Sequence, residues 1–330
     1  MAHRPHYNLI LAVLSFAGIT FAMLQSLVVP ALPEIQQSLH TSESGVTWIL
    51  TAYLLSASVL TPILGRVGDM IGKERVLVAV LVVLGIGSLV SALAPSLGVM
   101  IVGRVIQGAG GGIFPLAFGI VRDEFPPERV PGGIGLISSL LGIGGGLGLV
   151  LPGVIVENLS YHWLFWLPLG AVAVTTLLTI RYVPESPVKT PGRINWRAAA
   201  LMAAGLSMVL IAVSETPEWG WGSARTLGLI AAGTVVMALW VHTELTAREP
   251  LIDMNMMRIR GVWTTNVVAF LLGVGMYSSF VVIPQFVETP QRAGYGFGAS
   301  ITAAGLFMLP AAVTQLLIGP ASGRLERRLG

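Results

Sequence analysis

Residues 65–75 read Gly65-Arg66-Val67-Gly68-Asp69-Met70-Ile71-Gly72-Lys73-Glu74-Arg75, a charged loop between two long apolar runs. Part of this segment returns at the end of the chain. Pro62, Gly65, Arg66 and Gly72 reappear with unchanged spacing as Pro320, Gly323, Arg324 and Gly330, an offset of 258 residues. A charged turn repeated between apolar runs implies a duplicated membrane architecture. The second copy stops where its next helix would start, so the repeat is expected to be incomplete within these 330 residues.

Composition agrees with a membrane setting. The chain is 54% hydrophobic and 11% charged, with a mean hydropathy of +0.80, whereas about a quarter of a soluble domain is charged. There is no cysteine, which removes disulfides, thiol catalysis and cysteine metal sites. No cluster of His, Asp and Glu has metal-ligand spacing, and no nucleophile has a base at a usable offset. The glycine strings contain no P-loop lysine and follow no strand. Neither an enzyme nor a bound cofactor or metal is expected.

Crossing a hydrocarbon core of about 30 Å takes roughly 20 residues. Ten runs meet that length within the uncertainty of their ends: 9–30, 46–64, 76–94, 99–121, 134–156, 163–182, 197–214, 225–243, 261–286 and 299–318. The first is too long for a signal-peptide core, and Ala31-Leu32-Pro33 is a poor cleavage site, so it is read as an uncleaved helix. With the N-terminus in the cytoplasm, 16 of the 19 Lys and Arg residues fall on the cytoplasmic side, Arg225 and Arg292 fall outside, and Arg104 lies within a span. That asymmetry follows the positive-inside rule and explains the net charge of +3 without a nucleic-acid partner. All eight tryptophans lie at or near predicted helix ends, as an interfacial aromatic belt requires.

The Pro-rich segment Pro184-Glu185-Ser186-Pro187-Val188-Lys189-Thr190-Pro191-Gly192-Arg193 follows the sixth run and marks a boundary. The chain therefore divides into a six-helix bundle over 1–182, a cytoplasmic linker with two extra helices and a loop over 183–260, and the first two helices of an incomplete second bundle over 261–330.

With these features in hand, the chain resembles the major facilitator superfamily, and within it the fourteen-helix drug:proton antiporter branch, over essentially its whole length. Gly65-x-x-x-Asp69-x-x-Gly72-Lys73-x-Arg75 matches the signature loop between helices two and three. Its glycines permit a tight turn, Asp69 would cap the third helix, and Lys73 and Arg75 would meet anionic head groups. The resemblance implies that this loop, with Arg66, gates the cytoplasmic side during alternating access. Arg104-Val105-Ile106-Gln107-Gly108 is similar to the second family motif, which implies that Arg104 and Gln107 serve proton coupling. The bare sequence leaves another reading open, because Arg104 is about five residues from a helix end and could snorkel to the interface. In the fifth run, Gly142, Gly144, Gly146, Gly148, Pro152 and Gly153 resemble the antiporter motif, with small residues spaced for close helix packing. Gly108 belongs to the same packing class. Leu149 follows Gly148 where that motif carries its proline, and Pro152 stands where it carries glycine.

By the same resemblance a central cavity would be lined by Gln25 and Ser26, by Phe114 and Phe118, and by Asn266, Met276, Tyr277, Phe280 and Gln285. Such a mixture of rings, thioether and amides suits small amphipathic substrates. Aligning on Ala31-Leu32-Pro33 puts Leu24 where the branch carries an acid in its first helix. All 16 carboxylates fall near predicted helix ends or in loops, so no titratable acid sits near the midplane. The expected protein is an all-α polytopic membrane transporter with about ten helices of fourteen, a monomer in the bacterial inner membrane, exporting drug-like compounds with the proton gradient as its energy source. A metabolite transporter and a non-transporting membrane scaffold are the other readings, and residues 1–330 alone are not expected to transport.

Overall fold

A computed structural model describes residues 7–190 and 192–329, except for the side chains of 301, 316 and 319–329. Among the described residues every regular element is helical. The long helices are α1 (Tyr7–Ser26), α3 (Glu43–Ile71), α4 (Lys73–Ala92), α7 (Val130–Asn158), α8 (Trp163–Tyr182), α9 (Trp196–Ser214), α11 (Ala224–Thr246), α13 (Arg260–Glu288) and α14 (Ile301–Leu329). The fourth span is divided into α5 (Leu97–Gln107) and α6 (Ile113–Glu124). Short helices α2 (Leu32–Ser38), α10 (Thr216–Trp219) and α12 (Met254–Met257) lie in connections. Nine segments of the described residues are long and apolar enough to cross a membrane; α14 carries a shorter apolar stretch, Thr302–Gln315.

Several helices outrun the apolar stretches that announce them. At 29 residues, α3, α7 and α13 are each roughly 43 Å long at 1.5 Å per residue, so their polar ends project beyond a hydrocarbon core. In α3 this extension carries the helix through Gly65, Arg66 and Asp69. The segment 65–75 is consequently two helices meeting at Gly72, which corrects the expectation of a loop. Gly72 has φ +125 and ψ 132, a conformation closed to other residues. The expected cap is corrected as well. Asp69 lies in the last turn of α3, and the N-terminus of α4 has Gly72 as its cap with no side-chain hydrogen bond.

The fourth span changes pitch for a related reason. Residues 108–112 read Gly-Ala-Gly-Gly-Gly and form a 3-10 turn between α5 and α6. Glycine has little preference for the α-helix, and the absent side chains let α3 come close. The Ser56 hydroxyl of α3 donates to the Val105 carbonyl at 2.6 Å, and a methyl group on Gly112 would lie 2.9 Å from Leu64.

α1, α3, α4, α5, α6, α7 and α8 pack into one bundle with two apolar centres. One holds Leu14, Leu77, Leu81, Leu84, Ile113, Ile120 and Val172; the other holds Leu27, Ile35, Ile49, Met100, Leu164 and Phe165. α9 and α11 pair with each other, and α9 rests against α3. There the Trp48 indole donates to Glu215 at 2.9 Å and Thr51 bonds Ser214 at 3.1 Å. α14 packs along α7, while α13 meets the rest more sparsely and leaves Phe270, Leu271 and Leu272 exposed. The backbone of the C-terminal echo continues α14 to Leu329; its side chains and Gly330 lie outside the described residues, as does Arg4.

Candidate functional site

Arg104 is the one charged side chain buried in the middle of the bundle among the described residues, and it has no exposed surface. It does not snorkel. Its Nε donates to the Ile49 carbonyl at 3.1 Å, and its Nη1 donates to Gln107 Oε1 at 2.7 Å. Its guanidinium carbon stands 4.2 Å from the centroid of the Tyr53 ring. Gln107 in turn donates to the Ser88 hydroxyl at 3.0 Å, which donates to the Leu84 carbonyl at 2.9 Å. Arg104 and Gln107 are thus parts of one network joining α3, α4 and α5. A desolvated cation–π contact contributes about 2 kcal/mol, against a penalty of several kcal/mol for a charge withdrawn from water. No carboxylate pairs with Arg104 among the described residues, and its Nη2 and the Tyr53 hydroxyl have no hydrogen-bond partner. Tyr53 and Ser88 carry no signal in the sequence, because their role exists only when three helices converge.

A narrow cavity of about 50 Å³ lies between α1, α7 and α13, lined by Gln25, Ser26, Leu149, Met276, Tyr277 and Phe280 among others. A second cavity of about 230 Å³ between α7, α13 and α14 shares Leu149, Met276 and Phe280 with it. The amide of Gln25 donates to the Tyr277 hydroxyl across the first cavity, tying α1 to α13. Five of the nine expected lining residues therefore converge: Gln25, Ser26, Met276, Tyr277 and Phe280. The other four do not. Phe114 and Phe118 meet at a tilt, 5.8 Å between centroids, with Phe114 edge-on to Phe21 at 5.6 Å, and pack against the first apolar centre. Asn266 is exposed and donates to Met257 Sδ at 3.3 Å. Gln285 is exposed on the last turns of α13.

The glycines of α7 form two separate approach faces. A methyl on Gly144 would lie 2.6 Å from Ala22, and one on Gly148 would lie 2.8 Å from the Met23 carbonyl oxygen, so these two seat α1. A methyl on Gly146 would lie 2.9 Å from Ala312; Gly142 lies against Gln315 and Gly153 against Thr302, so these three seat α14. Pro152 is buried within the same helix. Residues four apart lie on one face of a helix, and shifting the set by two moves it to another. A single glycine-rich helix therefore holds α1 on one side and α14 on the other. Gly108 plays a similar part against Ser56 of α3.

At the Gly72 corner, Lys73 is buried and bonds Asp123 at 2.7 Å and Asp69 at 3.0 Å. Asp123 also accepts from the Ser186 hydroxyl at 2.5 Å. Arg75 pairs with Glu185 at 3.1 Å, the Thr190 amide donates to the Asp69 carbonyl at 2.7 Å, and the Arg193 amide donates to Glu249. The contacts of the corner run to α6 through Asp123 and to the linker through Glu185 and Thr190. Arg66 opens onto a cleft of about 630 Å³ with Asp69, Thr190, Arg248 and Glu249.

A helical bundle seated through glycine faces, with nine segments able to cross a membrane among the described residues, defines a polytopic membrane protein. The comparisons narrow this. The sequence pattern of the Major Facilitator Superfamily matches residues 14–330, and the chain belongs to that family. Lincomycin resistance protein LmrB of Listeria monocytogenes is 27% identical over 296 residues, covering 89% of this chain and 62% of that protein. Multidrug resistance protein 3 of Bacillus subtilis is 28% identical over 306 residues, 92% of this chain and 57% of that protein. The tetracenomycin C resistance and export protein of Streptomyces glaucescens is 27% identical over 317 residues, 95% and 58% of the two chains. The chain thus spans about 60% of the length of these relatives. Among solved structures, the peptide transporter POT in complex with sulfate aligns with a TM-score of 0.66 at 15% identity, covering 97% of this chain and 69% of that one. The proton:xylose symporter XylE aligns at 0.64 and 15% identity, covering 96% and 68%. Both show the fold.

Proposed function

We propose that the protein is a secondary active exporter of small amphipathic compounds, driven by the proton gradient and working as a monomer in the bacterial inner membrane with its N-terminus in the cytoplasm. The observation that carries this reading is the cavity between α1, α7 and α13, apolar except for Gln25, Ser26 and Tyr277. At about 50 Å³ it is far below the roughly 300–1,000 Å³ of a ligand-holding pocket, so substrate enters only after α13 and α14 move away from α1 and α7. Rocking of one bundle against another supplies that motion, and the glycine faces of α7 supply the sliding surfaces. Gln25 and Tyr277 close the path between cycles. The corner formed by Gly65, Arg66, Asp69, Gly72, Lys73 and Arg75 holds the linker while the basic end is shut, and Arg104 and Gln107 lie on the transport path. The resistance and export proteins among its relatives point the same way.

The test is dye export from vesicles containing the full-length gene product under an imposed pH gradient. Export that stops when the gradient is dissipated, and that falls severalfold in Tyr277→Phe, is the expected result. Export indifferent to the gradient would remove the proton from the scheme.

A further inference from the structure

Three cavities lie in a row along α7. The largest of the three, about 1110 Å³, parts α7 from α14 at the basic end of the bundle, where α7 starts beside Arg129. Ser138, Ser139, Thr314 and Gln315 give it a polar side, and Val130 and Ile134 an apolar one. A drug-sized molecule needs roughly 300–1,000 Å³, so this vestibule has room for one. The cavity of about 230 Å³ comes next and shares Ala311 and Gln315 with the vestibule. It shares Leu149, Met276 and Phe280 with the narrow cavity that Gln25 and Tyr277 close. Gln315 therefore stands at the junction between the vestibule and the two inner cavities. It is half-buried, and a methyl on Gly142 would lie 2.5 Å from its Oε1 and 3.0 Å from its Cβ. The two helices stay close from Gly153 at Thr302, through Gly146 at Ala312, to Gly142 at Gln315. Nearer the basic end, a methyl on Gly132 would meet nothing within 4 Å. The vestibule thus begins where the close packing stops.

We infer that Gln315 is a gate, and that small amphipathic substrates load from the basic end through the vestibule between α7 and α14. With Gln315 on Gly142 the passage is shut. The Gln315 amide makes no hydrogen bond among the described residues, so packing alone holds it there, and a side chain held by packing turns aside without losing a partner. Pro310, five residues earlier on α14, has no N–H to continue the helix ladder and leaves a hinge just above the gate. A substrate resting in the vestibule meets the hydroxyls of Ser138 and Thr314 with its polar groups and Val130 and Ile134 with its apolar body. Once Gln315 swings away it reaches Met276 and Phe280, with Gln25 and Tyr277 as the second barrier. This inference rests on the exporter reading and names the loading route and its gate.

Residues 1–330 hold no cysteine, so single replacements on a cysteine-free background report directly. The experiment places Ser138→Cys in the vestibule or Ser279→Cys in the second cavity of the full-length gene product in nanodiscs. It then measures the rate of reaction with a water-soluble methanethiosulfonate. Ser138→Cys is expected to react fast throughout. Ser279→Cys is expected to react slowly beside Gln315 and about tenfold faster when Gln315→Ala is added. Gln315→Leu fills the same space and is expected to stay slow; Gln315→Ser is the second opening variant if Gln315→Ala does not fold. The route is read in vesicles under a pH gradient, where a bulky maleimide on Ser138→Cys is expected to cut ethidium export about tenfold and to leave the cysteine-free protein unaffected. Equal Ser279→Cys rates with glutamine and alanine at position 315 would overturn the gate. Undiminished export after complete labelling would overturn the route. Either result leaves the exporter standing, whereas no gradient-driven export before labelling would overturn the exporter reading and the loading role with it.

Discussion

At the scale of the residue, two positions have little freedom. Arg104 uses the planar fork of its guanidinium, with two donors fixed at different acceptors and its face on Tyr53. Lysine keeps the charge but cannot reproduce that geometry. Transport by Arg104→Lys is therefore expected to fall as far as in Arg104→Ala, and recovery of wild-type rates by lysine in vesicle assays would return Arg104 to a mere charge requirement. Gly72 is the second case. Its φ of +125 excludes a side chain, and a methyl would lie 2.5 Å from the Glu185 carboxyl carbon. Gly72→Ala is expected to cost about 1–3 kcal/mol of backbone strain and to displace the linker. Thermal unfolding in detergent measures the first effect. Loss of the Arg75–Glu185 pair, followed through a double-cysteine cross-link on this cysteine-free chain, measures the second.

At the scale of the element, α7 organises the contacts around the cavity. Gly144 and Gly148 are filled by α1, whereas Gly132 on the same helix has open space around it. Gly148→Leu is expected to push α1 away at a cost of about 1–3 kcal/mol, the usual range for overpacking, and Gly132→Leu is expected to change little. Equal melting temperatures for the two variants would contradict the approach faces. The small residues were legible because their four-residue spacing survives in one dimension. Which helix each face receives was not, since that depends on how α1 and α14 are placed. The corner shows the same limit. The charged residues of 65–75 stood out at once, but Asp123, which holds Lys73, and Ser186, which holds Asp123, come from segments 50 and 113 residues away from Lys73.

At the scale of the whole molecule, charge asymmetry sets the expected orientation. With 16 basic residues on one side and two on the other, the segment 185–193 is expected to face the cytoplasm and the segment 216–222 the periplasm. A reporter active only in the periplasm should be silent in the first segment and active in the second, and the reverse pattern would refute the orientation. The exposed apolar face of α13 is the other large-scale feature. Phe270, Leu271 and Leu272 suit contact with hydrocarbon, whereas Asn266 on the same helix donates to Met257, nine residues earlier in the chain.

Hydrophobic run length, positions of charge and glycine spacing are properties of the chain itself. They determined the helical membrane class and singled out 65–75, Arg104 and the fifth run as unusual, because a bilayer imposes the same length and desolvation rules on every segment. The tertiary structure decided the rest. Only packing shows that Arg104 is buried against Tyr53 with one nitrogen left over. Only packing shows that Gln25 meets Tyr277 while Phe114 and Gln285 lie elsewhere, and that the charged loop is two helices joined at one glycine. Side-chain partners far apart in sequence are chosen by the relative placement of helices, a property that no local pattern encodes.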